Sequence, residues 1–230
     1  MPLPGQFPAI YAKIGDSTGM EAGMSFLTAF FYDRVMSTAE QACLSGWRRE
    51  LLGQAHGEVL EVGAGTGASI ESYPDSVSSL VLSEPDPHMR KQLSERVKRC
   101  QGRENSRVCA GTAEQIEAED ESFDCVVTSL VCCSIADLDA GLQEIRRVLR
   151  HGGNFIFMEH VAAARGTSRR RWQNRINPLW RKMMGNCHLN RETEQAILAA
   201  GFEITRIERE SMRKVVPIVR PSIRGIARKV

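Results

Sequence analysis

The period of apolar positions along the chain changes near residue 58. Before it, Glu21–Tyr32 (EAGMSFLTAFFY) and Asp33–Leu52 carry apolar residues at roughly helical spacing, ending before Gly53. That spacing predicts two or three helices after an irregular start punctuated by Pro2, Pro4 and Pro8. From Glu58 onward, short apolar runs alternate with amphipathic stretches. Val59–Val62, Leu80–Ser83, Arg107–Ala110, Phe123–Ser129 and Asn154–His160 read as strands. Helices are expected at about Gly67–Ser72, at His88–Cys100 and at the strongly amphipathic Leu138–Arg150, which Gly152–Gly153 stops. Phe123–Ser129 is nearly all apolar, as a strand covered on both faces should be. Strand–helix alternation at this spacing means βαβ units and a parallel sheet.

Arg165–Asn186 breaks the rhythm with a basic, Trp-containing insert, and Asn190–Ala200 returns to a helix. Phe202–Glu208 and Val215–Val219 read as the last strands. The link between them is too short for a crossover helix, so they should form an antiparallel hairpin. The expected fold is α/β: a Rossmann-like, seven-stranded, mostly parallel sheet with an antiparallel C-terminal hairpin and helices on both faces. Residues 1–52 are expected to form a helical cap and residues 53–230 the main domain, with 165–190 as a substrate-side insert.

Composition narrows the function classes. Lys plus Arg is 30 against 28 Asp plus Glu, so net charge gives no argument for nucleic acid. The charge is uneven, since Arg165–Lys182 and Arg213–Lys229 contain no acid. Such stretches suit an acidic ligand, a membrane surface or a solvated helix face. The 7 cysteines are odd in number and form no Cys-x-x-Cys, which fits reduced, mostly buried thiols rather than a disulfide framework. No metal-ligand spacing is evident, so no metal is expected. The N-terminus lacks a basic start followed by an apolar core, and no apolar run approaches a membrane span. A cytoplasmic protein without a transmembrane anchor is the expectation.

The candidate chemistry begins at VLEVGAGTG (59–67). Glycines let the backbone turn sharply and approach a ligand closely, and a helix N-terminus after them would add partial positive charge. The loop alone is ambiguous, because Gly63, Gly65 and Ala68 also satisfy a dinucleotide-binding pattern. Glu61 sits inside the strand, and a buried carboxylate needs a partner. An ammonium group on a ligand would provide one; S-adenosyl-L-methionine has one and a nicotinamide dinucleotide does not. Glu84, after the second strand, is placed to accept ribose hydroxyls. Gly111-Thr112-Ala113-Glu114 follows the third strand, where an adenine can rest. The terminal hairpin also favours a methyltransferase over a dehydrogenase.

VLEVGAGTG, SEPDPHM (83–89), SFDCVVTSLVCCSI (122–135) and LQEIRRVLRHGGNFIFMEHV (142–161), in that order, resemble the class I S-adenosylmethionine-dependent methyltransferases. A narrower resemblance rests on GASIESYP (67–74), MEHVAAARGT (158–167), RRWQNRINPLWRKMMGNCHLNRET (170–193) and VRPSIRGIARK (219–229). These look like the small alkyl-thiol S-methyltransferases of the methyltransferase-like seven type and their microbial relatives. The resemblance implies a small-molecule acceptor bearing a thiol or dithiol, with S-adenosyl-L-homocysteine as co-product. Methylation of carbon, oxygen or nitrogen on a quinone-like, phenolic or lipid acceptor is the alternative. A non-catalytic cofactor-binding module and a dehydrogenase are further rivals.

The resemblance also implies residue roles. Gly63, Ala64, Gly65, Thr66 and Gly67 should pass under the methionine moiety, and Glu61 should face its amino end directly or through water. Glu84 should bind the ribose, with Pro85 and Met89 near ribose and adenine. Thr112, Ala113 and Glu114 should border the adenine; Thr112 stands where the family often has an acid. Ser129 and Leu130 should lie near the sulfonium methyl. His160 and His188 are the candidates for activating a thiol, and Cys132, Cys133 and Cys187 are expected to be structural. Tyr11, Phe26, Phe30, Phe31, Trp172 and Trp180 are the expected apolar walls of the acceptor pocket.

Overall fold

The computed structural model describes residues 37–230. Tyr11, Phe26, Phe30, Phe31 and the first expected helix lie outside the described residues. The described chain opens in a helix that includes a wide π turn over Glu40–Leu44 and continues as α1, Ser45–Leu52. The strands are β1 (Gly57–Val62), β2 (Val77–Ser83), β3 (Ser106–Cys109), β4 (Phe123–Ser129), β5 (Leu149–His160), β6 (Phe202–Ser211) and β7 (Pro221–Lys229). The remaining helices are α2 (Pro87–Arg99), α3 (Leu138–Val148), α4 (Ser168–Met183) and α5 (Thr193–Ala199).

The strands form one 7-stranded sheet in the order β3-β2-β1-β4-β5-β7-β6. The first five pair in parallel, and β7 runs antiparallel to both β5 and β6. Side chains alternate across each strand, so the sheet buries two apolar layers. Leu60, Val62, Val126, Phe155 and Phe157 pack with α3 and α5 on one face. Val59, Leu80, Leu82, Val127 and Ile156 pack with α1 and α2 on the other. The amphipathic α3 supplies Leu142, Ile145 and Val148, all buried, and Asp137 caps it by accepting from the Ala140 N–H at 3.1 Å. Strand order reverses between β1 and β4, and the carboxyl ends of the parallel strands share one crest. In open α/β sheets ligands bind at that crest, beside the reversal.

Three expectations differ. The amphipathic helix ends at Val148, and Gly152–Gly153, expected to stop it, lie inside β5 (Leu149–His160). The helix expected at Gly67–Ser72 is only a 3-10 turn over Ile70–Ser72. Pro74 forces Tyr73 into an extended conformation (φ −74°, ψ 135°), so a helix has no room to grow. The glycine loop therefore does not open an α-helix, and no helix dipole adds positive charge to it. The hairpin exists, but its second strand is Pro221–Lys229 rather than Val215–Val219. Pro217–Val219 is a 3-10 turn instead, opened by a proline that has no N–H to give a ladder.

The basic insert is mostly α4. Its anchor is Gln173, fully buried, whose Oε1 accepts from the Ala163 N–H at 2.7 Å. The Gln173 Nε2 donates to the Val161 and Ile218 carbonyls at 3.2 and 3.0 Å. Trp172, Leu179 and Met183 are exposed along the outer face of the same helix. Among the described residues no helix is long and apolar enough to cross a membrane.

Candidate active site

The loop after β1 is a tight, left-handed turn. Gly63, Gly65 and Gly67 have φ of +67°, +57° and +88°. A Cβ at Gly63 would stand 2.7 Å from Val131 Cγ2, whereas one at Gly65 would meet nothing within 4 Å. Gly63 therefore faces the packed interior and Gly65 faces open space. The turn is held by Ala64 N–H to the Ser83 carbonyl and Gly67 N–H to the Ala64 carbonyl, both at 2.9 Å. Ala64 and Thr66 are buried beside it.

Glu84 is buried at the end of β2 and ties this loop to the next. Its Oε2 accepts from the Gly65 N–H at 2.8 Å and its Oε1 from the Asp86 N–H at 2.9 Å. Burial raises its pKa and the two backbone donors partly oppose that. Each oxygen keeps lone-pair capacity for a further donor. Asp86 caps α2, accepting from the His88 and Met89 N–H groups at 2.8 and 2.9 Å, which fixes the half-buried Met89 near Glu84. Pro85 is exposed on the turn between them.

Glu61 lies on the α1 and α2 face, 1 % exposed. Burial raises its pKa, against hydrogen bonds from Ser69 and Tyr73 and the charge of Arg48. The Tyr73 hydroxyl donates to its Oε2 at 2.9 Å. Neither Ser69 nor Tyr73 figured in the sequence reading, although both lie in GASIESYP. Glu61 therefore organises the loop from below.

On the other flank, Thr112 is exposed, Ala113 buried, and Glu114 half-buried. The Glu114 Oε1 accepts from the Ala136 and Asp137 N–H groups at 2.8 and 3.2 Å, which ties its loop to the start of α3. At the end of β4, Leu130 has φ +61°, a costly conformation for a bulky residue, held by its N–H to the Met158 carbonyl at 2.8 Å. The Ser129 hydroxyl beside it is buried without a partner. Strained backbone and an orphaned hydroxyl thus sit side by side at the carboxyl end of β4.

His160 ends β5 and is buried; its Nε2 lies 3.1 Å from Cys187 Sγ. His188 donates its backbone N–H to the Cys133 carbonyl at 2.8 Å, and its Nε2 is buried without a partner. Burial, with help from Arg191 and Arg181, lowers its pKa to about 4, so it is neutral near pH 7. Trp180 is half-buried and Trp172 is exposed. A fully buried acid, Glu159, was also missed. Its Oε2 accepts from the Cys132 N–H at 3.1 Å. The signal that flagged Glu61, an acid inside an apolar strand, is present there too.

A family profile described as a methyltransferase domain matches residues 60–157. Human thiol S-methyltransferase TMT1A is 35% identical over 172 residues, covering 74% of this chain and 70% of the relative. The chain belongs to the class I S-adenosylmethionine-dependent methyltransferases. The malonyl-[acyl-carrier protein] O-methyltransferase of Methylococcus capsulatus is 28% identical over 210 residues, covering 86% of this methyltransferase and 71% of the relative. The geranyl diphosphate C-methyltransferase of Streptomyces coelicolor, solved with Mg2+, geranyl diphosphate and S-adenosyl-L-homocysteine, superposes with a TM-score of 0.66 at 13% identity. That likeness covers 87% of this chain and 84% of the other and bears on fold alone.

The methyltransferase's cofactor is S-adenosyl-L-methionine. The residues present fit it. The open face of Gly65 leaves room for a chain to pass close to backbone, and Glu84 offers free acceptor sites beside that space. The unpartnered Ser129 hydroxyl lies at the β4 end of the same crest.

Proposed function

We propose that this methyltransferase S-methylates a small-molecule thiol or dithiol in the cytoplasm. The observation that carries the reading is the likeness to thiol S-methyltransferases over about three quarters of the chain. Seven free cysteines support a reducing compartment.

The cofactor supplies an already activated methyl group on a sulfonium. Residues 63–67 carry its methionine portion, with Gly65 as the close approach. Glu84 accepts the ribose hydroxyls with the lone pairs that Gly65 and Asp86 leave free. Glu61 acts on the amino end through Ser69, Tyr73 or water. Pro85 and Met89 flank the ribose and adenine, and Thr112, Ala113 and Glu114 border the adenine. Ser129 and Leu130 fix the β4 end against the reacting centre. A thiolate is a strong nucleophile, so positioning and exclusion of water supply most of the rate. His160 and His188 stand on the acceptor side, where the neutral His188 can accept a hydrogen bond from an S–H group.

The test is a panel of alkyl, aryl and dithiol acceptors beside carboxylates, phenols and quinols, with product methylation read by mass spectrometry. Transfer to thiols alone is the expected result. The O-methyltransferase relative motivates the second reading, and turnover of carboxylates or phenols with inert thiols would establish it instead.

A further inference from the structure

Cys133, His160 and Cys187 come from three segments far apart in the chain, yet their donor atoms all lie within 4.8 Å of one another. The site is built rather than incidental. The loop carrying Cys187 is clamped to the loop carrying Cys133: His188 N–H donates to the Cys133 carbonyl, and Asn186 Nδ2 donates to the Ser134 carbonyl at 3.1 Å. The Arg191 guanidinium donates to the Cys132 and Ile135 carbonyls from the same side. Cys133 and His160 are buried and Cys187 is half-buried, so the group has one side towards solvent.

The spacing suits a tetrahedral ion. With zinc–sulfur at about 2.3 Å and zinc–nitrogen at about 2.0–2.1 Å, neighbouring ligand atoms on a tetrahedron stand about 3.6–3.8 Å apart. The separations here, from 3.1 Å between His160 Nε2 and Cys187 Sγ up to the 4.8 Å limit, bracket that value. Small side-chain rotations would close the set. Two thiolates and one imidazole are soft to borderline donors, which select zinc-like cations over magnesium or calcium.

We propose that Cys133, His160 and Cys187 bind one thiophilic divalent cation, zinc by chemistry, with a fourth coordination position left open at the crest. Three protein ligands and an open position is the pattern of a reactive rather than a structural zinc site. Cys133 Sγ lies 3.6 Å from the Leu130 carbonyl, and Leu130 is the residue placed beside the reacting methyl. One consequence rests on the thiol reading above. An acceptor thiol entering the fourth position releases its S–H proton to solvent and binds as thiolate. Its sulfur forms the new S–CH3 bond as the methyl–sulfonium bond breaks, with that bond's electron pair left on the departing sulfur. The thioether formed is a weaker ligand and leaves.

The probes are Zn2+ and Co2+ added alone to the full-length protein, reduced with a phosphine. The expected result is about one zinc per chain after desalting and, with cobalt, thiolate-to-cobalt charge-transfer absorption. Cys133→Ser, Cys187→Ser and His160→Gln should each weaken binding by more than about 100-fold, while Cys43→Ser on the other side of the sheet should not. Absence of retained zinc and of the cobalt band in the wild-type chain overturns the site, whatever the variants do. Oxidation of Cys133 and Cys187 to a disulfide with no metal affinity in the reduced chain overturns it equally. Adding a thiol that the enzyme methylates should shift the cobalt spectrum, and an unmoved spectrum overturns the open-position role. Metal binding with no thiol methylated refutes the thiol reading and leaves the site standing.

Discussion

Gly65→Ala separates the two jobs of the glycine loop. The added methyl at this position meets no protein atom within 4 Å, so the native fold suffers no steric clash. It does suffer backbone strain, because Gly65 sits at φ +57°. The loop cannot relax, since the Gly65 N–H is held by Glu84 and the neighbouring Ala64 N–H by the Ser83 carbonyl. A left-handed non-glycine residue costs about 1–2 kcal/mol. For a chain of this length that is a fall in Tm of about 2–8 °C. The same methyl projects into the space assigned to the cofactor. Forcing an extra methyl into a well-packed contact costs about 1–3 kcal/mol, or about 5- to 150-fold in Kd. Calorimetric titration with S-adenosyl-L-homocysteine measures that loss, and thermal unfolding without ligand measures the strain. Gly63→Ala is the contrast. There the new Cβ meets Val131 at 2.7 Å, so its stability loss should exceed that of Gly65→Ala. Cofactor affinity within about twofold of wild type in Gly65→Ala, which is under about 0.5 kcal/mol, would show that the open face is not the ligand's path.

Glu84→Ala should weaken cofactor binding by about 1–3 kcal/mol, the scale of hydrogen bonds to a charged group, and equilibrium dialysis reads it directly. Asp124→Asn tests pH linkage away from the crest. Burial raises the Asp124 pKa, but the Arg150 guanidinium at 2.5 Å and the Glu58 N–H at 2.8 Å outweigh it and lower it overall. A lowered carboxylate stabilises the fold above its unfolded pKa and loses that contribution as pH falls through the folded value. The variant should therefore lose about 1 kcal/mol at pH 7, after allowance for partial exposure, with the gap closing in denaturant titrations as pH falls below the ordinary aspartate range. Cofactor affinity at pH 7 should be unchanged. Gln173→Ala leaves the Ala163 N–H and two carbonyls without their partner, so α4 should loosen at a cost of about 1–3 kcal/mol, seen as faster amide exchange across residues 161–183.

The parallel half of the sheet and the loops at its crest were legible because local rules decide them. A glycine turn after an apolar strand, an acid after the next strand and an apolar central strand each carry meaning within a few residues. The hairpin was legible from the short link, but its last strand was not. Val215–Val219 is the more apolar run, whereas β7 contains Arg224, nearly buried. That arginine is tolerated because Glu50 from α1 and Glu208 and Glu210 from β6 surround it, with its guanidinium 5.4 Å from the Trp47 ring centroid. A reading by local pattern sees an arginine in a strand and has no view of three acids brought from elsewhere.

The Cys133, His160 and Cys187 group failed to register for the same reason, and the difference between the two cases says something about the site. Metal motifs read from sequence are those whose ligands share one turn or one hairpin, where spacing is fixed by local geometry. Here β4 and β5 are neighbours in the sheet, so Ser129 pairs with Met158 and the segments just beyond them must diverge from adjacent points. Parallel pairing therefore delivers Cys133 and His160 to one crest whatever their separation in sequence. Cys187 then needs a third segment folded over that crest, which the Arg191 and Asn186 contacts supply. In the Arg224 cluster, charge is neutralised within the chain. At the crest, two thiols and an imidazole meet, and the thiol nearest solvent has its pKa raised by the neighbouring Cys133 thiol and by burial. A cation placed among them would reverse that penalty, because each sulfur would bind it as thiolate.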